Sequence, residues 1–549
     1  MVFHSDHRFA TSNIRLKDLG DLEDLECSSI SSEDSIPDRS SNWTQFSQFH
    51  PSNILAHSNG HDSQDWLSYI EEILYKLTVV LAPSFLQNYL GVKNHEPNKL
   101  HAIAALDGLR GWACLLVFNF HLLFTYTWKV AIGWGFGENN FGIHQLPIIH
   151  MLISGHIMVA IFFVISGYVL SYKPLKTIRS RDFDQTFTTL ASSTFRRGLR
   201  LYIPSIVGLA CVFVAVRLGI YNSSWHVIKE GHTIMGTNEQ HPPIYGTFMS
   251  QFWDLYYTIG RLADPFDWNL YYNNYNPHLW TIPLEFRCSL VIFLTALATS
   301  RLGSPVRLSI VAGIMWFCIR YGRWDIVLFL VGMMMAEVDL INGTWEQPSN
   351  TGSRATDSNI HIRLPPSGKI IASISQRRFW IAAFIVGLYF GSTPNLGFKW
   401  TPGYCWLWNL TPKTYPEPHR FPQTIGAALI VFSVNQSPAI QQLFTNSVSQ
   451  YLGKVSYAFY IVHGPILHAL GYALMPNIWR ITGKETNFQF CFGLLINWMI
   501  CLPVSIWAAD IFWRAIDIHS VKFARWVEDW LTAQRKPVSI PRDNSRSHN

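Results

Sequence analysis

The chain of 549 residues is 49% hydrophobic and 15% aromatic but only 14% charged, against about 25% charged residues in ordinary soluble domains. That balance excludes a plain soluble globular protein, and a net charge of +6 is too small to point to a nucleic-acid partner. The eight cysteines are scattered without CxxC spacing, so neither a disulfide framework nor a metal site is expected.

In chain order, residues 1–65 read as a cytosolic tail, polar and Ser-rich from residue 27, and disordered. The first thirty residues contain "DLGDLEDLE" and lack the apolar core of a signal peptide. Residues 66–99 form an interfacial segment, in which Trp66, Tyr69, Ile70, Ile73, Leu74 and Leu77 recur at helical spacing. That pattern suits a helix on the membrane surface or one packed on the membrane domain. From 100 to 515 the chain reads as a polytopic all-α bundle of about ten transmembrane helices. They lie near 106–128, 148–172, 201–220, 285–300, 308–321, 324–341, 379–393, 421–436, 456–475 and 490–513, with 245–262 a further interfacial candidate. Residues 516–549 read as a polar cytosolic tail.

Loop charges orient the bundle. The loop expected at 173–200 carries seven Lys/Arg, whereas that at 221–280 carries only Lys229 and Arg261. The positive-inside rule puts the first in the cytosol and the second outside or in a lumen, with both termini cytosolic. Asn222 (N-S-S) and Asn409 (N-L-T) are then lumenal glycosylation candidates. The location expected is an endomembrane (endoplasmic reticulum or Golgi) or the plasma membrane.

Four segments place polar groups where hydrocarbon should be. In "LDGLRGWACLLVFNFH", Arg110 and His121 are eleven residues apart, which returns to within about 20° of one helical direction, about 16 Å further along. Arg110 suits either a snorkelling role or a ligand contact, and His121, deep in its span, reads as functional. In "FFVISGYVLS", Ser166 and Gly167 allow close helix packing or backbone contact with a ligand. "NPHLWTIPLEF" brings Trp280 and Glu285 to the mouth of a span. In "GKVSYAFYIVHGPI", Ser456, Tyr460 and His463 share one helical face. Together these groups suggest the lining of a polar cavity, which suits an enzyme or, alternatively, a secondary transporter of a polar or acidic small molecule.

The same residues, in order, resemble the acyltransferase 3 family of integral-membrane O-acyltransferases. The resemblance rests on Arg110 and His121, on Phe162, Phe163, Ser166, Gly167 and Tyr168, on "FRRGLRLYIP" with Arg197 and Arg200, on Trp280 and Glu285 (with Thr281 where Ser is usual), and on Ser456, Tyr457, Tyr460 and His463. It implies transfer of an acyl group, usually acetyl, from acyl-CoA as co-substrate to a hydroxyl of a sugar or small metabolite, without a permanently bound cofactor. It also implies His121 as general base, since histidine titrates near neutral pH, with Glu285 or His463 assisting. Arg110, Arg197 and Arg200 would hold the donor. Ser166, Gly167, Tyr168, Trp280, Ser456 and Tyr460 complete the expected substrate contacts.

Overall fold

The computed structural model describes residues 75, 78–79, 81–87, 100–101, 103–236, 239–343 and 366–533, with side chains in the last stretch from 376. The N-terminal tail, nearly all of the expected surface helix at 66–81, and residues 534–549 lie outside the described residues.

The described residues are helical, with one isolated bridge between Ile132 and Leu396. The main helices are α1 (Ala104–Tyr126), α2 (Gly155–Arg179), α3 (Phe183–Arg217), α4 (Phe248–Leu262), α5 (Thr281–Ala298), α6 (Ser304–Arg320) and α7 (Trp324–Asn342). Then come α8 (Pro366–Gly391), α9 (Arg420–Gln436), α10 (Ser447–Ile466), α11 (Tyr472–Thr482), α12 (Asn487–Phe512) and α13 (Ile518–Ala533). Every expected span overlaps one of these helices, though that at 148–172 starts in the 3₁₀ turn Ile149–Ile153 and that at 456–475 runs on from α10 through the turn after it into α11. Six stretches are long and apolar enough to cross a bilayer: α1, α2, α3, Pro277–Ala298, Ser447–Thr482 and Asn487–Ala533. The other four, α6 to α9, do not meet that measure. α6 and α9 have 17 residues each, and α7 carries Asp325, Glu337 and Asp339 among 19.

Those acids are matched inside the bundle. Arg307 meets Glu337 at 2.8 Å and Arg287 meets Asp325 at 3.2 Å. Asp339 accepts from Tyr168 Oη at 2.8 Å, Asn435 Nδ2 at 2.6 Å and Gln436 Nε2 at 2.7 Å. Paired in this way, charges are tolerable in an apolar bundle.

Two expectations change. The basic "loop" 173–200 is mostly helix, because α2 continues to Arg179 and α3 starts at Phe183. Asp182 caps α3 by accepting from Gln185 N at 3.0 Å, so Arg197 and Arg200 sit on a helix rather than a strap. The polar tail expected from 516 starts as helix α13, which packs on α3 and pairs Glu528 with Arg196 at 3.2 Å.

The interfacial segment near 245–262 forms α4. It buries Gln251, Leu255, Thr258 and Leu262 and leaves Phe248, Phe252, Trp253, Tyr256 and Tyr257 exposed, the amphipathic pattern of a helix lying flat at an interface. At the centre, α2 packs on α7 and α1 on α10. A Cβ on Gly167 would lie 2.2 Å from Phe329 O, so this glycine lets the α2 and α7 backbones touch. The pairing of α1 with α10 places Arg110 and His121 opposite Ser456 and His463.

Candidate active site

Between α1, α2, α3, α5 and α10 lies a cavity with about 710 Å³ of empty space, part of it open to solvent. Arg110, Arg197 and Arg200 line it together with Glu285, its one lining carboxylate. Ser166, Thr281, Ser456 and Tyr460 add hydroxyls, and Phe162 and Phe163 an apolar wall. Arg197 is braced by Ser289 Oγ at 3.0 Å and by Glu285 at 3.4 Å. Arg110 reaches Asp107 and Ser456 Oγ, each at 3.4 Å. Three guanidinium groups against the two carboxylates of Glu285 and Asp107 still favour an anionic ligand, and their planar forks suit phosphate.

One helical turn beyond Val117, which lines this cavity, α1 presents His121 to a second, quite different cluster. His121 Nδ1 lies 2.8 Å from Glu239 Oε1. His468 Nε2 and His278 Nε2 each lie 3.1 Å from Glu239 Oε2. The ring centroids of His121 and His278 are 3.9 Å apart, and those of His278 and His463 are 4.8 Å apart. Tyr460 joins the two regions: it lines the cavity, while its hydroxyl bonds Thr281 Oγ1 at 2.7 Å and the His278 carbonyl.

Local sequence explains how so many imidazoles meet. Pro465 has no N–H to give to the Ile461 carbonyl, and Asn276 Nδ2 donates to that oxygen instead, at 2.8 Å. This fixes the Asn276 amide so that Oδ1 faces His278 Nδ1 at 3.2 Å. Gly464 makes room, since a Cβ there would lie 2.1 Å from His278 Nδ1. Directly after this proline the helix widens into a π-turn, Leu467–Gly471. The turn rotates His468 towards Glu239 and His241, whose Nδ1 lies 3.2 Å from His468 Nδ1.

The charges of the connecting segment follow from this packing. Burial by itself raises the Glu239 carboxyl, but His278 and His121 outweigh it and hold the group well below the usual carboxylate range. Glu239 is therefore an anion within a ring of imidazoles. Burial, with His468 adding to it, pushes His241 down to about 3, so it is neutral. Two sets of side chains in this cluster converge closely enough to hold a metal ion, His121 with His278 and His463, and Glu239 with His278 and His468. A third set, His156 with Glu417 and His419, lies at the start of α9.

The structure brings most of the expected residues together. Arg110, Ser166, Arg197, Arg200, Glu285, Ser456 and Tyr460 line the cavity, and His121 and His463 belong to the cluster. Three lie elsewhere. Gly167 is a packing contact, Tyr168 is bound to Asp339, and Trp280 is buried between Tyr272 and Trp324 beneath Arg420. Asn222 and Asn409 are exposed. Four cluster residues had not been singled out from sequence: Glu239, His241, His278 and His468. His278 stands within "NPHLWTIPLEF", and His468 follows His463 by five residues, but no spacing rule links either to Glu239.

Comparison with known proteins agrees with this picture. The acyltransferase domain of the acyltransferase 3 type matches residues 103–514. An O-acetyltransferase of Phomopsis amygdali, PaAT-1, is 30% identical over 460 residues, covering 81% of this chain and 88% of the relative. Acyltransferase R4 of a Phoma species is 26% identical, over 77% of this chain and 94% of its own. Acyltransferase clz18 of Cochliobolus lunatus is likewise 26% identical, with the same coverage. No solved structure matches at a significant level. The chain belongs to the acyltransferase 3 family and is an acyltransferase.

Proposed function

We propose that the protein transfers an acyl group, acetyl by preference, from acyl-CoA to a hydroxyl of a small metabolite or carbohydrate. The observation that carries this reading is the placement of an arginine-lined cavity one helical turn from the His121–Glu239 pair. A phosphorylated donor suits the arginines, and its pantetheine arm is long enough to present a thioester at His121. The printed name of PaAT-1 supports acetyl as the group and oxygen as the acceptor atom.

The chemistry then follows from tautomers. Glu239 accepts only, so His121 Nδ1 carries the proton and Nε2 holds the lone pair. His121 Nε2 takes the hydroxyl proton as the oxygen attacks the thioester carbonyl. The new C–O bond forms, the C–S bond breaks, and the proton passes from Nε2 to the departing thiolate. Glu239 holds the ring in place and stabilises the transient imidazolium. Glu285 braces Arg197 and, on this reading, shapes the donor site rather than handling protons. Basic residues at the α2 and α3 ends support a donor mouth on the cytosolic side, and we take the bundle to have ten spans in an endomembrane or the plasma membrane. The acceptor approaches from the lumenal side, where Asn222 and Asn409 would carry glycans.

The test uses membranes containing the chain, supplied with acetyl-CoA and a mixture of cellular metabolites. We expect CoA release that depends on added hydroxyl compounds, with a product heavier by one acetyl group. CoA release without any acylated product would overturn the proposal.

A further inference from the structure

The histidine cluster contains more unshared electron pairs than a single proton transfer needs. Three Nδ1 positions face an acceptor: His121 faces Glu239 Oε1 at 2.8 Å, His278 faces Asn276 Oδ1 at 3.2 Å, and His463 faces Phe459 O at 3.1 Å. The Asn276 oxygen is fixed as the acceptor because its amide nitrogen donates to Ile461 O. Each Nδ1 therefore carries hydrogen in the neutral ring, which leaves a lone pair on each Nε2, and that of His278 lies 3.1 Å from Oε2 of the Glu239 anion, a contact that needs a cation or a second proton at Nε2. His463 Nε2 is buried and makes no hydrogen bond among the described residues, and His278 Nε2, also buried, meets only the Glu239 carboxylate there. Their side chains are 0% and 3% exposed. One ligand atom from each of His121, His278 and His463 falls within 4.8 Å of the others.

Buried lone pairs without a donor are costly, as at His463, and imidazole nitrogens that converge beside an ionised carboxylate call for a cation. Histidines that bind metal characteristically give their other N–H to a carboxylate, an amide or a backbone carbonyl. The three acceptors found here are one of each. We propose that the Nε2 atoms of His121, His278 and His463 form a binding site for a divalent transition-metal ion of the zinc class, which competes there with the proton of the acceptor hydroxyl. Three neutral imidazoles with an open fourth position, beside the ionised Glu239, suit zinc by donor type and by charge. Tetrahedral zinc needs its nitrogens about 3.4 Å apart, so the rings close by no more than about 1.4 Å from the widest separation the cluster allows. Bound metal takes the lone pair that His121 would use as a base, so zinc arrests transfer. This last consequence rests on the reading of His121 as a free base.

The full chain, purified in detergent and stripped with a chelator, is titrated with Co(II). We expect one ion per chain with the visible absorption of a tetrahedral site, displaced by Zn(II). His463→Ala should abolish this spectrum, and Glu239→Gln should weaken binding by about 10- to 100-fold, as loss of a ligand-orienting partner does. His519→Ala, at an exposed histidine, should leave it unchanged. Should His463→Ala fail to fold, the wild-type protein still decides the matter, because occupancy must fall as the pH drops and protons take the same lone pairs. Absence of a saturable spectrum, or binding unchanged in both cluster variants, overturns the site. In turnover assays zinc should stop transfer and chelator should restore it. If instead the zinc-loaded protein is active and the stripped protein is not, the site stands and the free-base reading of His121 falls.

Discussion

The two ends of α1 show opposite solutions to placing polar groups inside an apolar bundle. At the Arg110 end, three arginines line an open cavity, with Glu285 on its wall beside Arg197 and Asp107 beside Arg110. At the His121 end, the imidazoles of His121, His278 and His468 crowd around the Glu239 carboxylate. The first arrangement suits a ligand that brings its own negative charge, and the second suits one that brings a proton. Because both sit on one continuous helix, the proposed donor site and the proposed base are spaced by about 1.5 Å per residue rather than by a flexible loop. The lesson is that a membrane bundle can divide binding from chemistry simply by position along one stripe.

The most severe way to break this division is His121→Ala. Turnover should fall by about 10²- to 10⁴-fold, the usual contribution of a general base, while acyl-CoA binding stays close to wild type. Near-normal turnover would move the role to His463.

Glu239→Gln should lower kcat by about 10²-fold, again with little change in donor KM, because the amide no longer dictates which His121 nitrogen carries the proton. A matching loss in donor binding would mean that Glu239 belongs to the arginine side. Gly464→Ala should have a smaller effect of the same kind. Its methyl group pushes on His278 Nδ1 and so disturbs the cluster, not the cavity. Steady-state kinetics in both substrates distinguishes these cases.

The weakest effect is one of pH. His241 is held at about 3, below the ordinary histidine value of about 6.5, so acid protonates the unfolded segment first. Its stabilising contribution is complete above about pH 6.5 and declines as pH falls towards its folded value. Glu239 acts at lower pH. Its depressed value gives stability that is present above the ordinary carboxylate range and is lost as pH falls through the folded value. The protection factors of the amides from Glu239 to Gln251, taken relative to the intrinsic exchange rate at each pH, should therefore fall between pH 7 and about pH 5, and His241→Gln should flatten that response. Protection factors that do not change with acid in the wild-type protein would contradict the neutral, buried state of His241.

Much of the arginine side was legible in the sequence. Arg110, Ser456 and Tyr460 lie on regular helices, where periodicity alone shows which side chains share a face, and Arg197 and Arg200 stand in a basic stretch that the charge pattern picks out. The histidine side was legible only at His121 and His463. Glu239 and His241 come from an irregular connection that no periodicity orients. His278 sits in a 3₁₀ turn, Pro277–Trp280, and owes its position to a carbonyl released by Pro465, far away in sequence. His468 follows His463 by five residues, which in a regular helix points it about 140° away. Only the π-turn returns it to Glu239. The span count was less legible for a related reason. The buried acids of α7 are matched from neighbouring helices, Asp325 and Glu337 by arginines and Asp339 by Tyr168, Asn435 and Gln436, which composition within a single helix cannot show.

The division of labour along α1 is tested most directly by measuring equilibrium binding of a non-reactive acyl-CoA analogue to Arg110→Ala and His121→Ala side by side, with single-turnover transfer measured on the same samples. The account expects His121→Ala to bind the analogue like wild type and to fail at transfer. It expects Arg110→Ala to bind it at least about 10-fold more weakly, in line with the loss of a charge-assisted contact to phosphate, yet to recover much of its transfer rate at saturating donor. Equal loss of analogue binding in both variants, or wild-type binding in Arg110→Ala, would contradict it.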